Sequence, residues 1–215
     1  FGKVTQVTTT KELMDNKTLA KLDIDCIVLK HTDEECKRIR KYTYAEELNY
    51  IVSHTKRNKF IEKLCKTIKG NTLVLFQLVD KHGIPLYNEI KTLDRKVFFV
   101  YGGTTTETRE KIRGIVEKEK DSLIIASYGT FSTGINIRNI NNIVFASPSK
   151  SKIRVLQSIG RGLRKMENKS VVRLFDIADN ASYKSRQNFT YRHFTERLNI
   201  YKGENFSYKV SKVNL

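Results

Sequence analysis

From Leu73 onward, short apolar runs alternate with amphipathic stretches, and turn residues bound each run. That alternation is what βα units require. The runs at 74–76, 97–101, 123–126, 143–146 and 171–175 are nearly all apolar, which predicts strands covered by helices on both faces. The first follows the Gly70-Asn71 turn and the second stops at Gly102-Gly103. Between them, 80–92 predicts a helix whose first turn is made irregular by Gly83 and Pro85. Thr106 is placed to cap the next helix, with Ile112, Ile115 and Val116 on its buried stripe and Glu107 and Glu110 favourable in its first turns. A helix over 152–165 joins the last two runs. Upstream, 24–29 predicts a further strand and 44–68 one long helix. Downstream, 181–201 predicts a basic helix containing Tyr and Phe, and 204–215 a strand or a tail. The expected architecture is α/β, a doubly wound parallel sheet with N- and C-terminal appendages. The boundaries are 1–23 for a linker or docking element, 24–180 for the sheet domain and 181–215 for a basic extension.

Charge adds a partner to this picture. Lys and Arg number 40 against 23 Asp and Glu, a formal net charge of +17 over 215 residues. So much uncompensated charge repels itself in a compact monomer, and an anionic partner relieves it. Nucleic acid is the natural one; a generally lysine-rich solvated surface is the alternative. Clustering favours the former, since Lys150, Lys152, Arg154, Arg161, Arg164, Lys165 and Lys169 face only Glu167. No apolar run approaches the roughly 20 residues needed to span a bilayer. Cys26, Cys36 and Cys65 are odd in number with no C-x-x-C spacing, so a reducing compartment such as the cytoplasm is expected, without a disulfide framework or zinc site. His31, His54, His82 and His193 are scattered and read as surface or packing residues; no metal site is expected. The chain starts at Phe1 without a signal-peptide pattern and reads as a piece of something longer.

Two segments carry candidate chemistry. The sharper is Gln157-Ser158-Ile159-Gly160-Arg161-Gly162-Leu163-Arg164, of the form Gln-x-x-Gly-Arg-x-x-Arg. On a helix, Arg161 and Arg164 project on the same side and Gln157 lies one turn before Arg161. Paired guanidinium forks suit the charge that develops on a transferred phosphoryl group. A solvated basic helix is the bland reading of the same spacing. The second segment is 127–136, Ser-Tyr-Gly-Thr-Phe-Ser-Thr-Gly-Ile-Asn, directly after an apolar run. Loops at the carboxyl ends of parallel strands are where such sheets bind ligands, and this one offers amides and hydroxyls to phosphate or ribose. A flexible turn would look much the same.

Taken in order, these segments resemble the second RecA-like domain of superfamily-2 helicases: 73–77 is similar to motif IV, 127–136 to motif V and 157–164 to motif VI. The phrasing Gly134-Ile135-Asn136-Ile137 and Phe175-Asp176-Ile177-Ala178-Asp179 looks closest to phage recombination and repair helicases. Ser127 stands where Thr is commoner in that family, and Asn136 where Asp is common. The resemblance implies an ATP-dependent DNA helicase with ATP and Mg2+ as cofactors. Its partners would be branched or single-stranded DNA, RNA in R-loops, and an N-terminal RecA-like domain of the same protein. It implies that Arg161 and Arg164 act on ATP across a cleft, with Gln157, Gly134 and Asn136 completing that side. It also implies that Thr104, Arg109 and Ser127 contact the DNA backbone. A surface ion pair with Glu107 or Glu110 is the alternative for Arg109. A P-loop is missing, because the one Gly-Lys pair, Gly2-Lys3, is followed by Val4. Asp80 and Asp176 mimic a Walker B carboxylate but precede Lys81 and Ile177; they read as a helix start and a strand end. Two rival readings remain open at this point. One is a non-enzymatic nucleic-acid-binding or annealing module. The other is a Rossmann-type enzyme using Gly102-Gly103-Thr104 as its nucleotide turn.

Overall fold

In the computed structural model the apolar runs become one parallel sheet with helices packed on it. The structure describes residues 20–134, 137–149, 151, 159–160 and 171–215. Its strands are β1 (Lys21–Lys30), β2 (Thr72–Phe76), β3 (Lys96–Val100), β4 (Ser122–Ser127), β5 (Asn142–Phe145), β6 (Val171–Asn180) and β7 (Tyr208–Asn214). The helices are α1 (Asp33–Ile39), α2 (Tyr44–Ser53), α3 (Thr55–Thr67), α4 (Ile84–Ile90), α5 (Thr106–Val116), α6 (Tyr128–Gly134) and α7 (Phe189–Gly203). The seven strands lie in the order β3-β4-β2-β5-β6-β1-β7, every neighbouring pair parallel.

Two cores follow from the period of two along each strand. Leu73, Leu75, Ile124, Ala126, Ile143 and Phe145 face one way, against Ile112 and Val116 of α5 and Phe194, Ile200 and Tyr201 of α7. Val74, Phe76, Leu123, Ile125 and Val144 face the other, against Ile61 and Cys65 of α3 and Leu86 and Ile90 of α4. The predicted irregular start of the helix after β2 is a π-helical turn, Val79–Gly83, with Pro85 at the head of α4. Gly83 is required there, since a Cβ would lie 2.4 Å from the Phe76 ring.

Local side-chain caps account for several departures from the sequence reading. The single helix expected over 44–68 is two, because His54 leaves the helical region at φ −70, ψ 116 and its Nδ1 accepts from the Arg57 amide as the cap of α3. Thr105 caps α5 rather than Thr106, accepting from Thr108 N–H. The unanticipated α1 carries a reciprocal Thr32–Glu35 capping box. The C-terminal helix begins at Phe189, after a turn closed by a Tyr183–Arg186 bridge. Its N-terminal amides and Asn188 converge on the buried Glu47 carboxylate, an anion at the positive end of a helix. Residues 181–215 thus supply α7 and the edge strand β7, which pairs with β1.

Asp176 is not a strand end: it lies inside β6 and is 0% exposed, as is Asp179. Three residues apart on a strand, they face opposite sides of the sheet. Asp176 is held by Arg197 of α7, with Nε at 2.8 and 3.0 Å and Nη2 at 2.8 Å, and accepts from the Tyr201 hydroxyl at 2.8 Å. Asp179 is held by Arg57 of α3, with Nε at 2.9 and 3.0 Å. Burial disfavours the Arg197 cation, but the Asp176 carboxylate outweighs it and holds the guanidinium charged. Each arginine also donates to the chain leaving β5: Arg57 Nη2 to Ala146 O at 2.7 Å and Arg197 Nη1 to Ser149 O at 2.8 Å. Arg197→Met would leave Asp176 charged and buried without its partner. The expected cost is about 3–5 kcal/mol in urea unfolding; a loss below about 1 kcal/mol would show that the pair does not hold α7.

Candidate functional site

The carboxyl ends of the strands form one edge, and Thr104, Arg109 and Ser127 lie along it. Ser127 ends β4 and is 9% exposed. Its Oγ accepts from the Thr130 amide at 3.3 Å and sits 2.8 Å from Thr130 Oγ1, so it caps α6 as well as lining the edge. Gly134 closes α6. Thr104 closes the turn after β3: its Oγ1 accepts from Tyr101 N–H at 3.1 Å and its amide donates to Tyr101 O at 2.9 Å. Arg109 does not pair with either neighbouring glutamate in the described contacts, since Glu107 meets Lys111 and Glu110 meets Arg113. Its guanidinium instead reaches back to the carbonyls of Gly102 at 3.3 Å and Tyr101 at 3.5 Å. Thr104 and Arg109 therefore share one turn, and Ser127 ends the adjacent strand.

That turn does not form a nucleotide cradle. A Cβ at Gly103 would fall 2.7 Å from the Tyr101 ring, so the space beside it is filled by the chain's own side chain. The Rossmann reading of Gly102-Gly103-Thr104 loses its geometric basis there.

Of the arginine motif, Ile159 and Gly160 are described, both helical. Ile159 is 1% exposed and belongs to the core on the α5 and α7 face. Gln157, Arg161 and Arg164, like Asn136, lie outside the described residues, as does the rest of the predicted 152–165 helix. The chain that leads to the motif leaves β5 through a junction that sequence reasoning missed. Ser147 Oγ accepts from Gln77 N–H at 3.1 Å and lies 2.8 Å from His82 Nδ1. Ser147 O accepts from the Tyr128 hydroxyl at 3.2 Å. With Arg57 on Ala146 and Arg197 on Ser149, the exit of β5 is tied to the segments after β2 and β4 and to both helical layers. The two aspartates inside an apolar run were the available signal.

The histidines are more than packing residues. His31 Nε2 lies 3.2 Å from Asp179 Oδ1, and His54 Nε2 lies 2.8 Å from Glu35 Oε1. Donor atoms of His31, Glu35 and His54 fall within 4.8 Å of one another, yet their chemistry argues for a hydrogen-bond cluster. His54 Nδ1 accepts the Arg57 amide, which leaves its proton on Nε2, facing Glu35. A cation on Nε2 would set N–H against N–H at the helix cap. Burial opposes the Glu35 charge, but hydrogen bonds from His54, Thr32 and Tyr50 bring its carboxyl down to about 2.

Comparison with known proteins names the frame that carries this edge. The helicase conserved C-terminal domain family matches residues 55–166, more than half of the chain. This chain belongs to that family. It is 36% identical over 228 residues to the ATP-dependent DNA helicase uvsW of Enterobacteria phage T4, covering 100% of this chain and 45% of that protein. It is 25% identical over 177 residues to the putative ATP-dependent helicase IRC3 of Saccharomyces cerevisiae, covering 77% and 24%. The crystal structure of T4 UvsW superposes with a TM-score of 0.78 at 36% identity, covering 92% of this chain and 42% of that one. The chain spans less than half the length of these curated relatives. The seven-stranded parallel sheet is therefore the RecA-like fold of a helicase C-terminal domain. No helix among the described residues is long and apolar enough to cross a membrane.

In this helicase domain His82 couples the β5 exit to acidity. Burial is the main cause that depresses its pKa, from 6.5 to about 3, with the Arg57 cation adding to it. The folded state keeps the ring neutral while the unfolded chain takes up a proton below pH 6.5, so this contribution is complete above pH 6.5 and is lost as pH falls toward 3. His82→Asn should flatten the decline of unfolding free energy between pH 6.5 and 5 by up to one proton, about 1.4 kcal/mol per pH unit. Parallel curves for the two proteins in urea titrations would contradict the assignment.

Proposed function

We propose that this domain is the C-terminal motor half of an ATP-dependent DNA helicase acting on branched DNA, in branch migration, fork regression and R-loop removal. It supplies the arginine finger and part of the DNA track, and a host-cell cytoplasmic setting follows if the protein is phage-encoded. The observation that carries the reading is the anchoring of the motif. Ile159 is buried in the core, and the chain leading to it leaves a β5 exit held by Arg57, Arg197 and Ser147. A charge-stabilising group needs such a rigid base. The identity to uvsW across the whole chain supports the same reading.

The residues fit one side of a nucleotide site. The amide of Gln157 and the guanidinium groups of Arg161 and Arg164 are donors that match phosphate oxygens, and Gly134 and Asn136 complete their side. Among the described residues, neither aspartate that mimics a Walker B carboxylate offers a magnesium site: Asp176 is committed to Arg197 and Tyr201, and Asp80 stands exposed on the π-helical turn. ATP and Mg2+ are thus assigned mainly to the N-terminal motor domain, where the ion neutralises phosphate charge. Thr104, Arg109 and Ser127 would take the DNA backbone, with hydroxyl, guanidinium and helix-terminal amides as donors.

Arginine variants in the polypeptide that carries both motor halves test this. Arg164→Ala should lower DNA-stimulated ATP turnover by about 10³-fold or more while DNA affinity stays within about threefold. Arg109→Ala should weaken DNA binding and make its salt dependence shallower by about one. Unchanged turnover in Arg164→Ala would favour a nucleic-acid-binding or annealing module that keeps only the fold.

A further inference from the structure

A second basic surface lies on the same edge of the sheet, at the exits of β1 and β6. Lys37, Arg40 and Lys41 follow β1, Lys184 and Arg186 follow β6, and Arg192 lies on α7; all six are exposed. Lys37, Arg40, Lys41, Tyr183 and Arg186 line one concavity. None of the six cations has a carboxylate partner within 4.0 Å among the described ion pairs, although Asp33 and Glu34 lie on the first turn of α1. Four of them are organised by aromatic rings instead. Arg40 and Lys184 lie 5.9 and 5.7 Å from the Tyr183 ring centre, and Arg186 and Arg192 lie 5.8 and 4.7 Å from that of Phe189.

We propose that this surface is a second nucleic-acid contact, holding the phosphate backbone of a duplex DNA arm. Its charge complements a polyanion, and none of the exposed large hydrophobic residues lines the concavity, whereas a protein interface places an apolar centre inside a polar rim. Cations occupy positions over the Tyr183 and Phe189 rings, which disfavours these rings as stacking platforms for unpaired bases. A duplex keeps its bases stacked inside and offers phosphates, which is what exposed cations read. The position fits as well. Three to four strand spacings of about 4.8 Å separate β4 from β6 and β1, about 14–19 Å, or some four to six nucleotides at 3.4 Å each along a strand. A substrate touching Ser127 with one strand can reach this surface with its adjoining duplex. The choice of DNA as the polyanion rests on the helicase reading above.

The test compares the intact protein with a Lys37→Ala, Lys41→Ala, Arg186→Ala variant of confirmed unchanged melting temperature. Dissociation constants are measured for a blunt DNA duplex and for a single-stranded oligonucleotide between 50 and 200 mM salt. The variant should lose about tenfold or more in duplex affinity, its slope of log K against log salt should fall by about two to three, and single-strand affinity should stay within about twofold. Unchanged duplex affinity and slope, or an equal loss on both substrates, overturns the proposal and leaves the helicase reading in place; an acidic protein partner would then be the better occupant. Failure of the unaltered protein to bind either DNA overturns both.

Discussion

The two buried ion pairs of β6 are the constraint on which the rest of this domain depends. Asp176 and Asp179 place two fully buried negative charges on β6, one on each face of the sheet. Neither is tolerable alone, since an unpaired buried carboxylate costs several kcal/mol. Arg197 and Arg57 satisfy them from the two helical layers, so α7 and α3 are held in register with the sheet. Apolar packing alone accepts small slips of a helix along a sheet. A guanidinium hydrogen-bonded to a buried carboxylate, through Nε and Nη2 for Arg197 and through Nε for Arg57, does not.

The consequence reaches function through the remaining donors. Each arginine has a second hydrogen bond, and both go to carbonyls just beyond β5. This is the segment from which the chain runs to the arginine motif, and Ser147 within it also ties in Gln77, His82 and Tyr128. Charges buried in the sheet thus stiffen a junction on the carboxyl edge that also carries Ser127 and Thr104, two and three strands away. The proposed reading of phosphate and nucleic acid on this edge requires such fixed positions, because the gain from aligned donors vanishes with misplacement.

Much of this was legible in the sequence, for a physical reason. Strands buried on both faces are nearly pure apolar runs, and β2, β4 and β5 announce themselves as such. What could not be read locally depended on distant partners. His54 breaks a helix that propensity would continue, because its ring caps α3 while bonding to Glu35, and nothing adjacent to His54 signals that. Asp176 looked like the end of a strand because a charge in an apolar run usually is one, and its partner Arg197 is 21 residues away. Basic residues after 181 read as an appendage because β7 is largely polar and exposed, yet its backbone pairs with β1. Among the candidate site residues, Thr104, Arg109 and Ser127 fall on one edge, while Gln157, Arg161, Arg164 and Asn136 lie outside the described residues.

Hydrogen exchange of the amides of Ala146 and Ser147, both donating to Leu75 O, tests most directly whether the ion pairs hold the β5 exit. Arg57→Lys retains a cation for Asp179 but cannot reach both the carboxylate and Ala146 O with a planar fork. This variant should lose at least about tenfold in protection at these two amides while Val74 and Ile124 in the centre of the sheet keep theirs. Unchanged protection at Ala146 and Ser147, or a uniform loss across the sheet, would contradict it.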